Sequence, residues 1–124
     1  MANRVYDLED RLINFAVEII TICDSIKPSK AGNHLAGQLV RSGTSPALNY
    51  GEAQAGESTR DFIHKLKVIL KELRESCNCL RIIERANLYL DNPKQLALAL
   101  KECNELIAIF AASIKTTQKN QIKK

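Results

Sequence analysis

Three times along this chain, apolar residues recur at steps of four, three, four and three, and that repeat limits the fold more than any other feature. Leu8, Leu12, Phe15, Ile19, Ile22 and Ile26 make the first such row. Phe62, Leu66, Ile69, Leu73, Ser76, Leu80 and Ile83 make another, and Leu96, Leu100, Cys103, Ile107, Phe110 and Ile114 a third. Residues so spaced lie on one side of an α-helix and must be covered by other helices. Between the first two rows, Leu35, Leu39 and Val40 mark a less regular apolar face. No segment alternates with the period of two that a half-buried strand needs.

The ends of the helices are written in short polar signals. Asp7 is placed to accept from the first free backbone N–H groups of a helix over Leu8–Ile26, and Lys27-Pro28-Ser29 ends it. A second helix starts near Ser29. Ser42-Gly43-Thr44-Ser45-Pro46 are poor helix formers, and Pro46 lacks an N–H, so a kink or break is predicted there, with helix resuming through Ala53. Gly51 and Gly56 mark its exit. Ser58 and Asp61 have the spacing of a capping box at the head of a third helix, Ser58–Ala86. Ile63 and Leu70 widen its apolar stripe on one side, and Val68 and Ile82 on the other. Asn92-Pro93 opens the fourth helix, which fades into a polar basic tail over 115–124 predicted to fray.

With short links between them, consecutive helices run antiparallel. The predicted fold is therefore all-α, an up-down-up-down four-helix bundle, in a single domain over residues 1–124. A length of 124 residues suits one domain, and the 5% of aromatic residues leave Leu, Ile and Ala to fill the core. No run of 18 apolar residues is present, and the first residues lack an apolar signal region, so no membrane association is expected and the expected location is the cytoplasm. Cys23, Cys77, Cys79 and Cys103 sit within helical patterns, which reads as buried free thiols. Cys77 is expected to pack beside the seam and Cys79 to be partly exposed.

The search for chemistry returns little. A di-iron bundle needs paired Glu-x-x-His elements. Here Asp61-x-x-His64 is the nearest approach and occurs once, while His34 stands off its helix's seam. Cys77 and Cys79, two apart on a helix, point away from each other and cannot easily grip one ion. No glycine spacing matches a phosphate loop. No catalytic residue, metal or cofactor is assigned, and the chain is read as not an enzyme. A metal-dependent enzyme ranks last among the functional readings.

One polar pattern stands out. Arg60, His64, Lys67, Lys71, Arg74, Asn78, Arg81 and Arg85 step four and three along the third helix, opposite its apolar row, with no acid among them. The net charge of +4 is modest, but such a stripe could follow a phosphate backbone. The plain counter-reading is a solvated helix face, with Glu75 four residues after Lys71 as an ordinary surface pair. Arg60, Lys67, Lys71, Arg74, Arg81 and Arg85 are the candidate residues for RNA or DNA.

The stretch from Gly37 to Ser58, with Arg41-Ser-Gly-Thr-Ser45 and Asn49-Tyr-Gly-Glu-Ala-Gln54, is distinctive, as are Asp61-Phe-Ile-His-Lys-Leu-Lys67 and Leu70-Lys-Glu-Leu-Arg-Glu-Ser76. Together they resemble the bacterial four-helix-bundle family first noticed in intervening sequences of 23S ribosomal RNA genes, over Asp7 to about Leu106. The resemblance implies a four-helix bundle assembled as a ring-like homopentamer. A distant relative of that family, the accessory protein of diversity-generating retroelements, is a basic pentamer that binds nucleic acid and a reverse transcriptase. Arg41, Asn49, Tyr50, Glu52 and Glu57 match the family pattern and are read as an architectural polar network joining the second helix to its neighbours. Cys77-Asn78-Cys79 stand where the family usually has a bulky aromatic. The leading expectation is a homo-oligomeric interaction or scaffold module, a pentamer with a possible protein partner. An accessory protein binding nucleic acid through the third helix comes second.

Overall fold

The computed structural model describes residues 8–55 and 58–123. Four helices follow in chain order: α1 (Leu8–Asp24), α2 (Lys30–Gln54), α3 (Thr59–Arg85) and α4 (Pro93–Lys123). The all-α four-helix bundle read from the sequence is the fold observed. Asp7, Gly56 and Glu57 lie outside the described residues.

Three helix starts use one device. Ser29, Ser58 and Asn92 each accept from the backbone N–H three residues on, at Gly32 (2.9 Å), Asp61 (3.1 Å) and Gln95 (3.1 Å). Each satisfies a donor that has no partner inside the helix. α3 ends in a Schellman arrangement: Asn87 takes a left-handed conformation (φ 56°), its N–H bonds to Glu84 O, and Leu88 N–H bonds to Ile83 O at 3.0 Å. Leu88 O in turn accepts from Lys27 N–H at 2.8 Å, which ties the α3–α4 link to the α1–α2 link.

Neither a break at Pro46 nor fraying from Lys115 is observed. α2 is unbroken through Pro46, whose ring is buried in the core. A proline inside a helix costs about 3 kcal/mol. α2 packs on both α1 and α3, and that burial outweighs one lost rung. Side chains in the same turns also bond to main-chain carbonyls: Thr44 to Val40 O (2.7 Å) and Asn49 to Ser45 O (3.0 Å). At the other end, α4 does not fray at Lys115 but continues to Lys123. The buried Ile114 and the Thr117 hydroxyl, which donates to Ser113 O at 2.8 Å, carry the helix past the last seam position.

The core is built from the seam rows. Leu12, Phe15, Ile19 and Ile22 of α1, Leu39 of α2, Leu66, Ile69, Leu73, Leu80 and Ile83 of α3, and Cys103, Leu106 and Phe110 of α4 are almost completely buried. The wide apolar stripe of α3 is used inside the chain, because α3 packs on both α2 and α4. Ile63 and Cys77 are buried on it, Leu70 is half-buried, and of its flanking residues Ile82 stays exposed. Backbones come close between α1 and α2, α2 and α3, and α3 and α4, whereas α4 returns to α1 at few positions.

Candidate functional site

The outer face of α3 carries the cationic row. Arg60, Lys67, Lys71, Arg74, Arg81 and Arg85 are all exposed, as are His64 and Asn78 in the same row. From Arg60 to Arg85 the row spans about 37 Å of helix. Among the described residues, none of these six cations is within ion-pair distance of a carboxylate.

Two of the four acids of α3, Glu72 and Glu75, are engaged elsewhere, while Asp61 and Glu84 are exposed. Arg41 of α2 reaches across to Glu72, with Nη1 3.1 and 3.0 Å from its two oxygens, and to Glu75 through Nη2. Glu75 is therefore drawn to Arg41, not to Lys71 as sequence spacing suggests. The two carboxylates hold the Arg41 guanidinium above its usual range, with Glu75 the larger influence. Two turns from Glu72 towards the start of α3, Lys65 bonds to Glu52 of α2 at 2.8 Å. These pairs occupy the α2 flank of α3 and hold Glu72 and Glu75 off the outer row.

The family-pattern residues of α2 have different surroundings. Arg41 and Glu52 bridge to α3. Tyr50 is buried, its ring edge-on to Phe110 of α4 with centroids 5.7 Å apart. Asn49 stays within its own helix and bonds to Ser45 O and to Ser45 Oγ at 2.8 Å. Glu57 lies outside the described residues. Beneath Arg41, Ser76 donates to the Ser42 hydroxyl across the α2–α3 seam at 2.9 Å, and both serines are fully buried.

All four cysteines are free thiols. Cys79 is buried, not partly exposed: α3 is overlaid at that level by neighbours that include Cys23. Burial pushes the Cys23 thiol up to about 12 and raises those of Cys79 and Cys103 as well. Such thiols resist forming thiolate, the nucleophilic form. Cys77 donates to Asn104 Oδ1 (3.5 Å), and Cys103 to Leu73 O (3.1 Å). At Cys77 and Cys79 this chain thus packs small thiols inside its own bundle. Among the described residues, no group of three or more His, Cys, Asp or Glu could hold a metal ion. His34 and His64 are both exposed.

Two features went unread in the sequence. The first is an apolar outer face on α1, where Ile13, Val17 and Ile20 are 46%, 56% and 42% exposed. Their spacing of four and three repeats the seam signal about a third of a turn away, and that second row was the clue. On the adjoining helix, Val40 and Leu48 are exposed too. The second is the α1–α4 boundary, an open groove of about 400 Å³ floored by Phe15 and edged by Glu18, Leu98 and Lys101. Arg11 spans it, with Nε 3.0 Å and Nη2 2.6 Å from Glu102 and Nη2 3.2 Å from Glu105. Desolvation, with some repulsion from Glu102, raises the Glu18 carboxyl above its usual range.

The fold and these surfaces define a helical-bundle protein whose polar chemistry lies on helix faces. The model of the 23S rRNA-intervening sequence protein family matches residues 6–112, and the chain belongs to that family. It is similar to the crystal structure, at 1.70 Å resolution, of a protein of unknown function from the S23 ribosomal protein family of Bacteroides thetaiotaomicron. The two share 28% identity with a TM-score of 0.78, covering 87% of this chain and 98% of that one. No curated protein matches significantly. No helix among the described residues is long and apolar enough to cross a membrane.

Proposed function

We propose that this chain is a non-catalytic, self-associating module whose contact surface is the outer face of α1. The observation that carries the reading is the row Ile13, Val17 and Ile20, three branched aliphatic side chains left about half in water on one helix. Covering each would be favourable by about 1 kcal/mol, since half of a full aliphatic burial remains to be gained. Val40 and Leu48 extend the surface onto α2. Gly43 lies against Ile19 and Gly51 beside Glu9, an antiparallel register that sets Leu48 about level with Ile13. A second copy of this chain is the occupant, and five copies in a ring is the stoichiometry implied by the resemblance to the family.

Light scattering at micromolar concentration tests this. The expected mass is several times the 13.9 kDa of one chain, near fivefold for a ring of five. Val17→Glu should dissociate the assembly while helix content stays that of the wild type. A strictly monomeric wild-type protein would sink the proposal.

A second reading, binding of nucleic acid through the outer face of α3, is supported by a separate observation. The six cations there share their row with no acid, and two carboxylates of the same helix, Glu72 and Glu75, face Arg41. Its signature is binding that weakens steeply with salt, because released counterions drive it.

A further inference from the structure

We infer that the outer face of α3 is a track for the phosphodiester backbone of a single-stranded nucleic acid, held without regard to base sequence. The inference rests on the nucleic-acid reading above and names its ligand.

Three features lead there. The first is the geometry of the row. Its eight positions from Arg60 to Arg85 fall one per helical turn, about 5.4 Å apart, along a straight line. An extended single strand can lay its phosphates along such a line at close to one per turn. A duplex cannot do so: in about 34 Å each of its strands winds once around the axis. A straight row laid on a duplex meets phosphates only where a strand crosses it, and most of the cations would face a groove.

The second feature is the border of the row. Asn104 of α4 meets Cys77 of α3. Helical spacing puts Ala97, Ala108, Ala111 and Lys115 on the same side of α4 as Asn104. That border carries one lysine and no acid. On the opposite border, Glu72, Glu75 and Glu52 are paired with Arg41 and Lys65, and Asp61 is exposed near the head of the helix. A strand on α3 therefore meets neutral or positive surface to one side and, beyond Asp61, neutralised carboxylates to the other.

The third is the lack, among the described residues, of any exposed Phe or Tyr on this face. Phe15, Tyr50, Tyr89 and Phe110 are buried, and Phe62 is half-buried on the apolar side of α3. Stacking on aromatic side chains is what gives many single-strand binders their grip on bases. Without such a platform, affinity comes chiefly from phosphates. Binding is then indifferent to base identity and unusually sensitive to salt.

The test is fluorescence anisotropy of the full-length protein with a mixed-sequence single strand of about 12 nucleotides, within the span of known single-strand sites, and with the duplex of the same sequence. The single strand should bind several-fold more tightly than the duplex. Neutralising six phosphates on a single strand gives a log–log salt slope of about −4, a loss of roughly 300-fold between about 50 and 200 mM. Affinity should rise with strand length up to about seven nucleotides, one per turn of the row, and then flatten. The double variant Arg74→Glu with Arg81→Glu should lose binding while keeping wild-type helix content. Lys27→Glu with Lys30→Glu makes the same change in net charge away from the row, and should keep most of it. A duplex bound as tightly as the single strand overturns the inference and leaves the nucleic-acid reading standing. Equal losses in the two double variants overturn the inference too, since binding would then follow net charge. No binding to either probe at the lowest salt overturns both.

Discussion

The two sides of this bundle are closed by different means. Around α2, small residues let backbones approach: Gly43 lies against Ile19 of α1, and the Ser42 hydroxyl meets Ser76 of α3 inside the seam. Between α1 and α4 the seam rows are just as regular, but the boundary stays open, with Glu18 and Lys101 along a groove and Arg11 reaching over it to Glu102 and Glu105. A heptad row brings two helices together; the size of the residues beside the row decides how close they come. The closed side is set by steric fit and should be unforgiving. The open side is set by solvated charge and should be tolerant.

The largest expected effect breaks the closed side. A Cβ at Gly43 would lie 2.8 and 2.9 Å from the Ile19 side chain, so Gly43→Val must push α1 from α2. Overpacking of this kind costs about 3 kcal/mol at its upper end. Urea unfolding should show it, and an unchanged midpoint would mean that the contact is not tight. Gly37, on the same helix, has nothing within 4 Å of a built Cβ. Gly37→Ala should therefore stabilise by about 0.5–1 kcal/mol, the helix penalty of glycine, with the opposite sign in the same assay.

The open side should respond weakly. Arg11→Ala removes a partly exposed ion pair, and a loss of less than about 1 kcal/mol is expected. Raised salt should shrink the difference between variant and wild type, whereas a larger, salt-independent loss would show that the arginine is packed rather than merely paired. The smallest effect is at Glu18, whose carboxyl is raised in the folded chain by desolvation first and by Glu102 second. A raised acid holds its proton more tightly when folded. Its ionisation therefore lowers stability as pH climbs from the ordinary 4.5 through the folded-state value. Glu18→Gln should melt slightly higher than wild type at about pH 7 and together with it below the ordinary value. Equal melting temperatures at both would mean that Glu18 is fully solvated.

Much of this was legible beforehand, and the reasons are local. Seam rows, the Ser58 and Asn92 caps and the short links each depend on residues a few positions apart, and all appear in the structure. The row of cations on α3 could be seen in the spacing for the same cause. What escaped was relational. Lys71 and Glu75 look like a pair until Arg41, thirty-four residues before Glu75, reaches in from α2. Cys79 looks half-exposed until its neighbours cover it. The apolar row of α1 was in plain view, but a second stripe beside a strong seam reads as a wider core until the packing shows which residues remain in water.

The sequence by itself determined that this chain forms four helices, where two of them are capped, which rows they bury and which family it belongs to, because periodicity and capping act within one or two turns. Only the tertiary structure decided that α2 continues through Pro46, that α3 spends its wide stripe inside the chain, and that Arg41 rather than Lys71 takes Glu75. Each of those outcomes depends on a neighbouring helix: burial on two sides outweighs one missing hydrogen bond, and a guanidinium long enough to bridge two carboxylates takes them from a closer lysine on the same helix.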